Sequence, residues 1–515
     1  MKKWIAAAVA AAMSVTMLAG CGTKGGSKVA DEDMNTCPKD AYEINWYLMV
    51  DPQNDVHSVE EKMNEYLKDK LNVTVKLNCL SSAQYSQKLS TMINANEYFD
   101  LCFAARWMLD YVGNSRAGAF FKLDDYLDTY LKGIADEYGR ENLEYAKVDG
   151  GLYALPVYKE MVTQYGWIYR KDIADKYGID MNKYKSFEEL EPVLKTIKEK
   201  EPDIKYPIDW ATDMTPASKF GQENYIVESF LFRDGTKDAG KSVNPYSTEG
   251  YLKACQTARD FYNKGYVRPD VLTATDQLQR MKEGKTFVMM QPVKPGKAKE
   301  LFKNTAYDFD QTEITELFKN TAYDFDQTEI TEPTLDYLAG TGSMQAISAS
   351  SKNPVRVMRF LNLLNTDRYL KNLVVHGIEG KHYERIDDKT VKAIPGSGYD
   401  LYSNSWAIGN VFLDDLLDTE DPNKLTDLKA YNDRAKTSKL DNAILSFCLK
   451  EDDERTRVRS EIDTVTGKYT KQIVTGAVDP EPIIKEMNEQ LKKIGIDDYI
   501  KSIQEEFDEY YKAQQ

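Results

Sequence analysis

The chain has 515 residues, with 67 Lys and Arg against 83 Asp and Glu and a formal net charge of −16 at pH 7. That length exceeds what one core serves, so at least two domains are expected. The negative field repels nucleic acid and anionic lipid, which removes two partner classes, and it mildly disfavours polyanionic ligands.

Lys2 and Lys3 precede an uncharged run from Trp4 to Met17, too short to span a bilayer comfortably and laid out as a secretory signal. The run ends in Leu18-Ala19-Gly20-Cys21. This looks like a bacterial lipobox, where small residues fit the signal-peptidase cleft and the cysteine thiol receives a diacylglyceryl group. Residues 1–20 therefore read as a signal peptide. Loss of Lys2 and Lys3 with it takes the charge from −16 to −18. Cys21 is the expected lipidation site and the lipid the expected sole membrane anchor. Residues 21–38 are Gly-, Ser- and Asp-rich with few large apolar side chains, and read as a flexible tether. The other cysteines (Cys37, Cys79, Cys102, Cys255, Cys448) are odd in number and scattered, so no structural disulfide is expected.

The body opens with alternating Ile44, Trp46, Leu48 and Val50, a strand. Ser58 and Glu61 have capping-box spacing, followed by Val59, Met63, Tyr66, Leu67 and Leu71 at helical spacing. Val73, Val75 and Leu77 alternate again, a second helix carries Tyr85, Leu89, Met92 and Ile93, and an apolar strand runs Leu101 to Ala104. This βαβαβ order predicts a parallel sheet covered by helices, with ligands beyond the carboxyl ends of its strands. Further strands are predicted at Leu152–Pro156, Tyr165–Tyr169 and Phe287–Met290, with helices after Ser186 and after Asn353-Pro354. Two amphipathic helices divided by Gly495 close the chain.

Residues 300–315 recur unchanged as residues 316–331. Solenoid repeats diverge and come in threes or more, so two perfect copies mark an in-frame duplication or a sequence-assembly error. One copy is expected to make the native strand and the other to bulge out as a loop.

Catalytic signatures are missing from the sequence. His57, His376 and His382 stand in no zinc-ligand spacing, and Gly340-Thr341-Gly342-Ser343-Met344 lacks the final glycine of a nucleophile elbow. No phosphate-binding loop or calcium loop is present. No catalytic residue, metal or cofactor is expected. Carboxylate pairs are too common among 83 acids for a glycosidase dyad to be excluded by counting. The positive signal is aromatic. Trp107 follows Arg106 just past the Leu101–Ala104 strand, with Asp110 nearby. Trp167, Trp210 and Trp406 follow other elements. Sugar rings present C–H faces that pack on such rings, with rim hydroxyls for Asp, Arg and Asn.

In order along the chain stand Phe99-Asp100-Leu101 leading into Arg106-Trp107, then Asp149-Gly150-Gly151-Leu152-Tyr153-Ala154-Leu155-Pro156. Next come Trp167-Ile168-Tyr169-Arg170-Lys171-Asp172, Gly284-Lys285-Thr286-Phe287-Val288-Met289, and Ile347-Ser348 through Ser351-Lys352-Asn353-Pro354. Over roughly residues 40–375 these segments resemble extracellular solute-binding proteins, family 1, the cluster that includes maltose-binding protein. Gly377–Tyr383 and Trp406–Asn410 further resemble a subgroup of lipoproteins with a distinctive carboxyl-terminal domain of unknown function, typical of Gram-positive gut bacteria.

The resemblance implies a type II periplasmic-binding-protein-like α/β fold, with two lobes, a hinge between them and a helical carboxyl-terminal part. Carried over, the first lobe is 39–156 plus 289–345 and the second is 157–288 plus 346–515. The ligand contacts it implies are Arg106, Trp107 and Asp110 on one side of the cleft. Across the cleft are Glu160, Trp210 and Asp213, with Gln291 after the returning strand and Trp406 in the carboxyl-terminal part; Trp167, from the aromatic pattern, is a further candidate ligand contact. At Gln291-Pro292-Val293 the family's sugar binders often have a tryptophan, so this chain departs from them there.

The expected function is a monomeric, lipid-anchored receptor on the outer face of the cytoplasmic membrane. It would capture a carbohydrate, an oligosaccharide in particular, for the transmembrane subunits of an ABC permease. The alternatives are a peptide or other organic-solute receptor of the same fold and a sensory or adhesive lipoprotein. A cell-surface glycoside hydrolase would need two carboxylates roughly 5–10 Å apart.

Overall fold

The computed structural model describes residues 32–226, 229–303, 323–335, 338, 340–435, 437–450 and 452–515. Cys21, the signal segment, the first part of the tether and most of the repeated segment lie outside the described residues. Among the described residues no helix is long and apolar enough to cross a membrane, and the five cysteines from Cys37 onward are free thiols.

The alternating pattern folds as predicted. Strand β1 (Tyr42–Met49) buries Ile44, Trp46 and Leu48. Helix α1 (Val56–Leu71) turns Val59, Met63, Leu67 and Leu71 inward, and β2 (Val73–Leu80) returns parallel to β1. Helix α2 (Ser82–Asn94) leads to β3 (Leu101–Ala104), parallel to β1 on its other side. The expected Ser58–Glu61 capping box does not form. The helix starts at Val56, which puts Ser58 inside the first turn, where its hydroxyl donates to Asp55 at 2.7 Å. The sheet is completed by β4 (Ala154–Pro156), which pairs with a much later strand.

Beyond β4 the chain leaves this sheet. Short β5 (Val162–Thr163) precedes β6 (Tyr165–Arg170), the centre of a second sheet. Helix α3 (Phe187–Lys200) covers it and is opened by the Ser186–Glu189 capping box that the sequence predicts. Helix α4 (Glu249–Asn263) follows. Strands β7 (Val288–Pro292) and β8 (Phe325–Glu329) flank β6 antiparallel, with helix α5 (Lys297–Lys303) between them in sequence. Close approach here requires glycine: a Cβ at Gly166 would sit 2.1 Å from the Thr328 carbonyl oxygen. Strand β8 is drawn from the second copy of the repeat, and α5 ends in the first residues of the first copy.

Strand β9 (Thr334–Leu335) pairs with β5, and β10 (Met344–Ile347) rejoins the first sheet antiparallel between β3 and β4. Helices α6 (Pro354–Thr366) and α7 (Arg368–His376) follow, with Asn353 capping α6 as the Asn-Pro signature predicts. Later come α8 (Lys424–Asp433), α9 (Lys439–Ser446), α10 (Asp453–Val474), α11 (Pro480–Ile494) and α12 (Ile496–Gln514). Gly495 divides the last two in the left-handed conformation, with φ 97°.

Two assignments carried over from the family differ from the strand pairing. Residues 288–292 and 325–329 were expected, all but the first, in the first lobe, yet both strands pair with β6 in the second sheet. Residues from 346 on were expected in the second lobe, yet α6 and α7 pack into the first core. Phe360 meets Trp46 edge-on there, with ring centroids 5.6 Å apart. The reason is chain length: β10 ends in the first sheet at Ile347, and α6 begins too soon afterwards to fold over anything else. The tether also docks at its end. Buried Arg356 and Arg359 on α6 require a counter-charge, and Glu32 supplies it, with hydrogen bonds of 2.8–3.0 Å.

Candidate functional site

The chain crosses between its two sheets at 157–164 and between Glu329 and Met344, and residues 292–297, which follow β7, lie beside the first crossing. These crossings border a pocket of about 320 Å³. One wall is aromatic. Past β3 the backbone makes a tight turn in which Ala105 and Met108 pair, and Leu109 and Asp110 take positive φ values of 62° and 38°. Such values are costly for residues with a Cβ and mark a turn held by its surroundings. The turn pushes Trp107 out of the core, leaving it 47 % exposed, and its indole N–H donates to the Gly342 carbonyl at 2.8 Å.

Trp406 joins it from a helical turn spanning Tyr402–Ala407. The two indole rings lie 6.3 Å apart, tilted by 33°, and Phe103 supports both at 5.9 Å. A polar chain fixes the Trp406 loop from the core side. Ser343 Oγ donates to the Trp406 carbonyl at 2.8 Å, and Gln345 Nε2 donates to the Ala407 carbonyl. Gln345 Oε1 in turn accepts from the buried indole of Trp46.

Another part of the lining is charged. Glu160 sits between Lys159 and Lys294, with N···O distances of 3.7 and 3.5 Å. Burial disfavours its ionisation, but the two ammonium groups outweigh that and hold the carboxyl down at about 2. Lys297 and Gln164 also line the pocket, and Gln164 Nε2 donates to the Thr331 carbonyl at 2.7 Å.

Of the residues singled out from the sequence, Trp107, Glu160 and Trp406 meet here. The others do not. Arg106 turns aside and donates to Cys448 Sγ at 3.2 Å. Asp110 is a cap, accepting from the Gly113 amide at 3.1 Å. Trp167 and Trp210 are core residues. Trp167 is fully buried with its N–H on the Tyr184 carbonyl, and Trp210 stacks on Phe261 at 6.1 Å. Asp213 is exposed on the turn after Trp210, and Gln291 pairs within the second sheet opposite Gly166 rather than lining the pocket. Lys159 and Lys294 were not anticipated. The adjacency of Lys159 to Glu160 was the one available signal, because Lys294 reaches Glu160 only through the pairing of β7 with β6.

The pocket is equipped to hold a polar ligand with an apolar face. The described lining residues contain a single carboxylate, Glu160. Among the described residues no group of three His, Cys, Asp or Glu could hold a metal.

Residues 53–371 match the family described as bacterial extracellular solute-binding protein, and residues 451–512 match a domain of unknown function, DUF3502. A carbohydrate ABC transporter substrate-binding protein of Streptococcus pneumoniae is 28 % identical over 99 % of both chains. The N-glycan transport solute-binding protein NgtS of the same organism superimposes with a TM-score of 0.76 at 24 % identity, over 92 % of this chain and 100 % of that one. Its complex with Man5GlcNAc gives 0.64 at 25 % identity, over 92 % and 99 %.

Proposed function

Because the chain belongs to the bacterial extracellular solute-binding proteins, we propose that it captures an oligosaccharide in the pocket between its two sheets and delivers it to the permease of an ABC importer. The observation that carries this reading is the pairing of Trp107 and Trp406 in one pocket with an ionised Glu160. Indole faces take the C–H faces of pyranose rings, while a carboxylate and two ammonium groups bind hydroxyls. A binding protein needs no more chemistry than this. It needs an open and a closed state with full contacts in one, so that ligand shifts the population.

The carbohydrate specificity of the pneumococcal relative and the glycans bound by NgtS favour a sugar and make N-glycan fragments the first candidates. In this reading Cys21 carries the lipid, residues 21–31 span the gap to the membrane, and the body acts as a monomer on the outer face, binding but not cleaving its ligand.

The test is a thermal-shift screen of the purified protein against mono- and oligosaccharides, Man1GlcNAc and Man5GlcNAc among them, and against short peptides. A ligand at a hundredfold over its Kd stabilises the native state by about 2.7 kcal/mol. A shift with a glycan and none with peptides is expected. A shift with peptides alone would keep the fold and replace the ligand class.

A further inference from the structure

Helix α8 lies between the two matched spans and belongs to neither. Its last turn nevertheless hydrogen-bonds the backbone on both sides of Glu160 and beside Lys294. The Asn432 side chain spans Glu160 from behind: its Oδ1 accepts from the Met161 amide at 2.8 Å, and its Nδ2 donates to the Lys159 carbonyl at 2.9 Å. One residue earlier, the buried Tyr431 hydroxyl donates to the Val293 carbonyl at 2.9 Å, next to Lys294. Two residues later, Arg434 forks onto Glu329 at the end of β8, both bonds 2.7 Å. Lys159, Glu160 and Lys294 are themselves spaced loosely, at 3.5–3.7 Å, so their mutual attraction does not set the backbone beneath them. An amide that pairs with the residues on both sides of Glu160 does.

From this geometry we infer that Asn432 and Tyr431 are positioning residues for ligand capture: they hold Lys159–Met161 and Val293–Lys294 so that Glu160 stays in the pocket that Trp107 and Trp406 line. The inference rests on the reading that this pocket takes a glycan. It adds a function for a helix far downstream of the crossing strands. The two bonds from Asn432 replace backbone partners that the crossing segment has lost on leaving the first sheet. Removing them frees the segment to rotate Glu160 away from its lysines.

The test is a double-mutant cycle on affinity for Man5GlcNAc, measured by titration calorimetry with the parent, Asn432→Ala, Glu160→Gln and the double variant. Asn432→Ala should weaken binding about 3- to 10-fold, the worth of one or two buried hydrogen bonds. In the Glu160→Gln background it should change binding less than about 2-fold. An equal loss in both backgrounds, or none in either, would overturn the inference. If Asn432→Ala does not fold, Tyr431→Phe removes one oxygen only and should still weaken binding about 3-fold in a protein that stays folded at the assay temperature, its unfolding midpoint lowered by the loss of a single buried hydrogen bond. An unchanged affinity in that variant would be equally fatal.

If the parent binds no oligosaccharide, the glycan reading fails and a ligand-free measurement decides the positioning. Glu160 is faced by Lys159 and Lys294, with Tyr431 and the Arg434–Glu329 pair beyond. Its folded value of about 2 lies below the ordinary 4.5, so its contribution to stability is complete above pH 4.5 and is lost as pH falls toward 2. The difference in melting temperature between parent and Glu160→Gln should therefore shrink with acid in the Asn432 background and stay flat in Asn432→Ala. The same acid course in both backgrounds would contradict the inference.

Discussion

Two pairs of tryptophans occupy opposite ends of the same design. Trp167 and Trp210 lie inside the second core, braced by Phe187, whose ring meets theirs edge-on at 4.9 and 5.9 Å. Trp107 and Trp406 stand over Phe103 with one face open. The residue type is the same; what differs is the backbone that presents it. Trp167 sits on a central strand flanked on both sides and capped by α3, where a large apolar ring has nowhere to go but inward. Trp107 sits on a turn held in positive φ, where the ring is turned outward and its N–H is anchored to Gly342. In the proposed reading the first pair contributes to stability and the second to binding.

The comparison breaks most visibly at Trp210. Trp210→Ala empties a filled core and should cost about 3–5 kcal/mol in denaturant unfolding, while the folded fraction keeps its ligand affinity. Trp107→Ala should do the reverse, weakening glycan binding by about 2 kcal/mol, roughly 30-fold, with little change in unfolding midpoint. A large loss of stability there would show that Trp107 is a core residue after all. Glu160→Gln comes next. It removes the charge that Lys159 and Lys294 hold and should weaken binding about 10-fold at pH 7. The parent's affinity should be flat from pH 7 down to pH 5, because the Glu160 carboxyl is held at about 2. A decline centred near pH 4.5 would place Glu160 away from its lysines.

The smallest effect concerns the repeated segment. Removing residues 316–331 gives the same chain as removing 304–319, leaving Asn320-Thr321-Ala322 between Lys303 and Tyr323. Phe302 and Phe325 stack at 4.3 Å, so so short a connection reaches. The shorter closure should raise stability by about 1–2 kcal/mol and leave the second core intact. A fall in soluble yield or melting temperature would mean that the longer connection is part of the structure.

Local pattern carried the reading of the fold a long way. Period two marks β1 and β2, and helical spacing marks the buried faces of α1 and α3. The Ser186 and Asn353 caps are where their side chains say they are. What local pattern does not contain is pairing across long separations. Nothing in Phe325–Glu329 announces that its partner is Tyr165–Arg170, so the lobe boundaries carried over from the family do not anticipate that pairing. The site shows the same division. Glu160, Trp107 and Trp406 were recognisable as residue types beside element ends. Whether an indole faces a core or a pocket depends on strand order, and that alone separates Trp406 from Trp210. Arg106 and Asp110 seemed suited to a polar rim, but the turn that exposes Trp107 directs them to Cys448 and to the cap of the next helix.

The most direct test is calorimetric titration of the parent, Trp107→Ala and Trp210→Phe with the glycan that gives the largest thermal shift. The account predicts one site per chain, an affinity loss of about 30-fold in Trp107→Ala with its melting temperature kept, and parent-like affinity in Trp210→Phe. Parent-like affinity in Trp107→Ala would place the ligand elsewhere and contradict it.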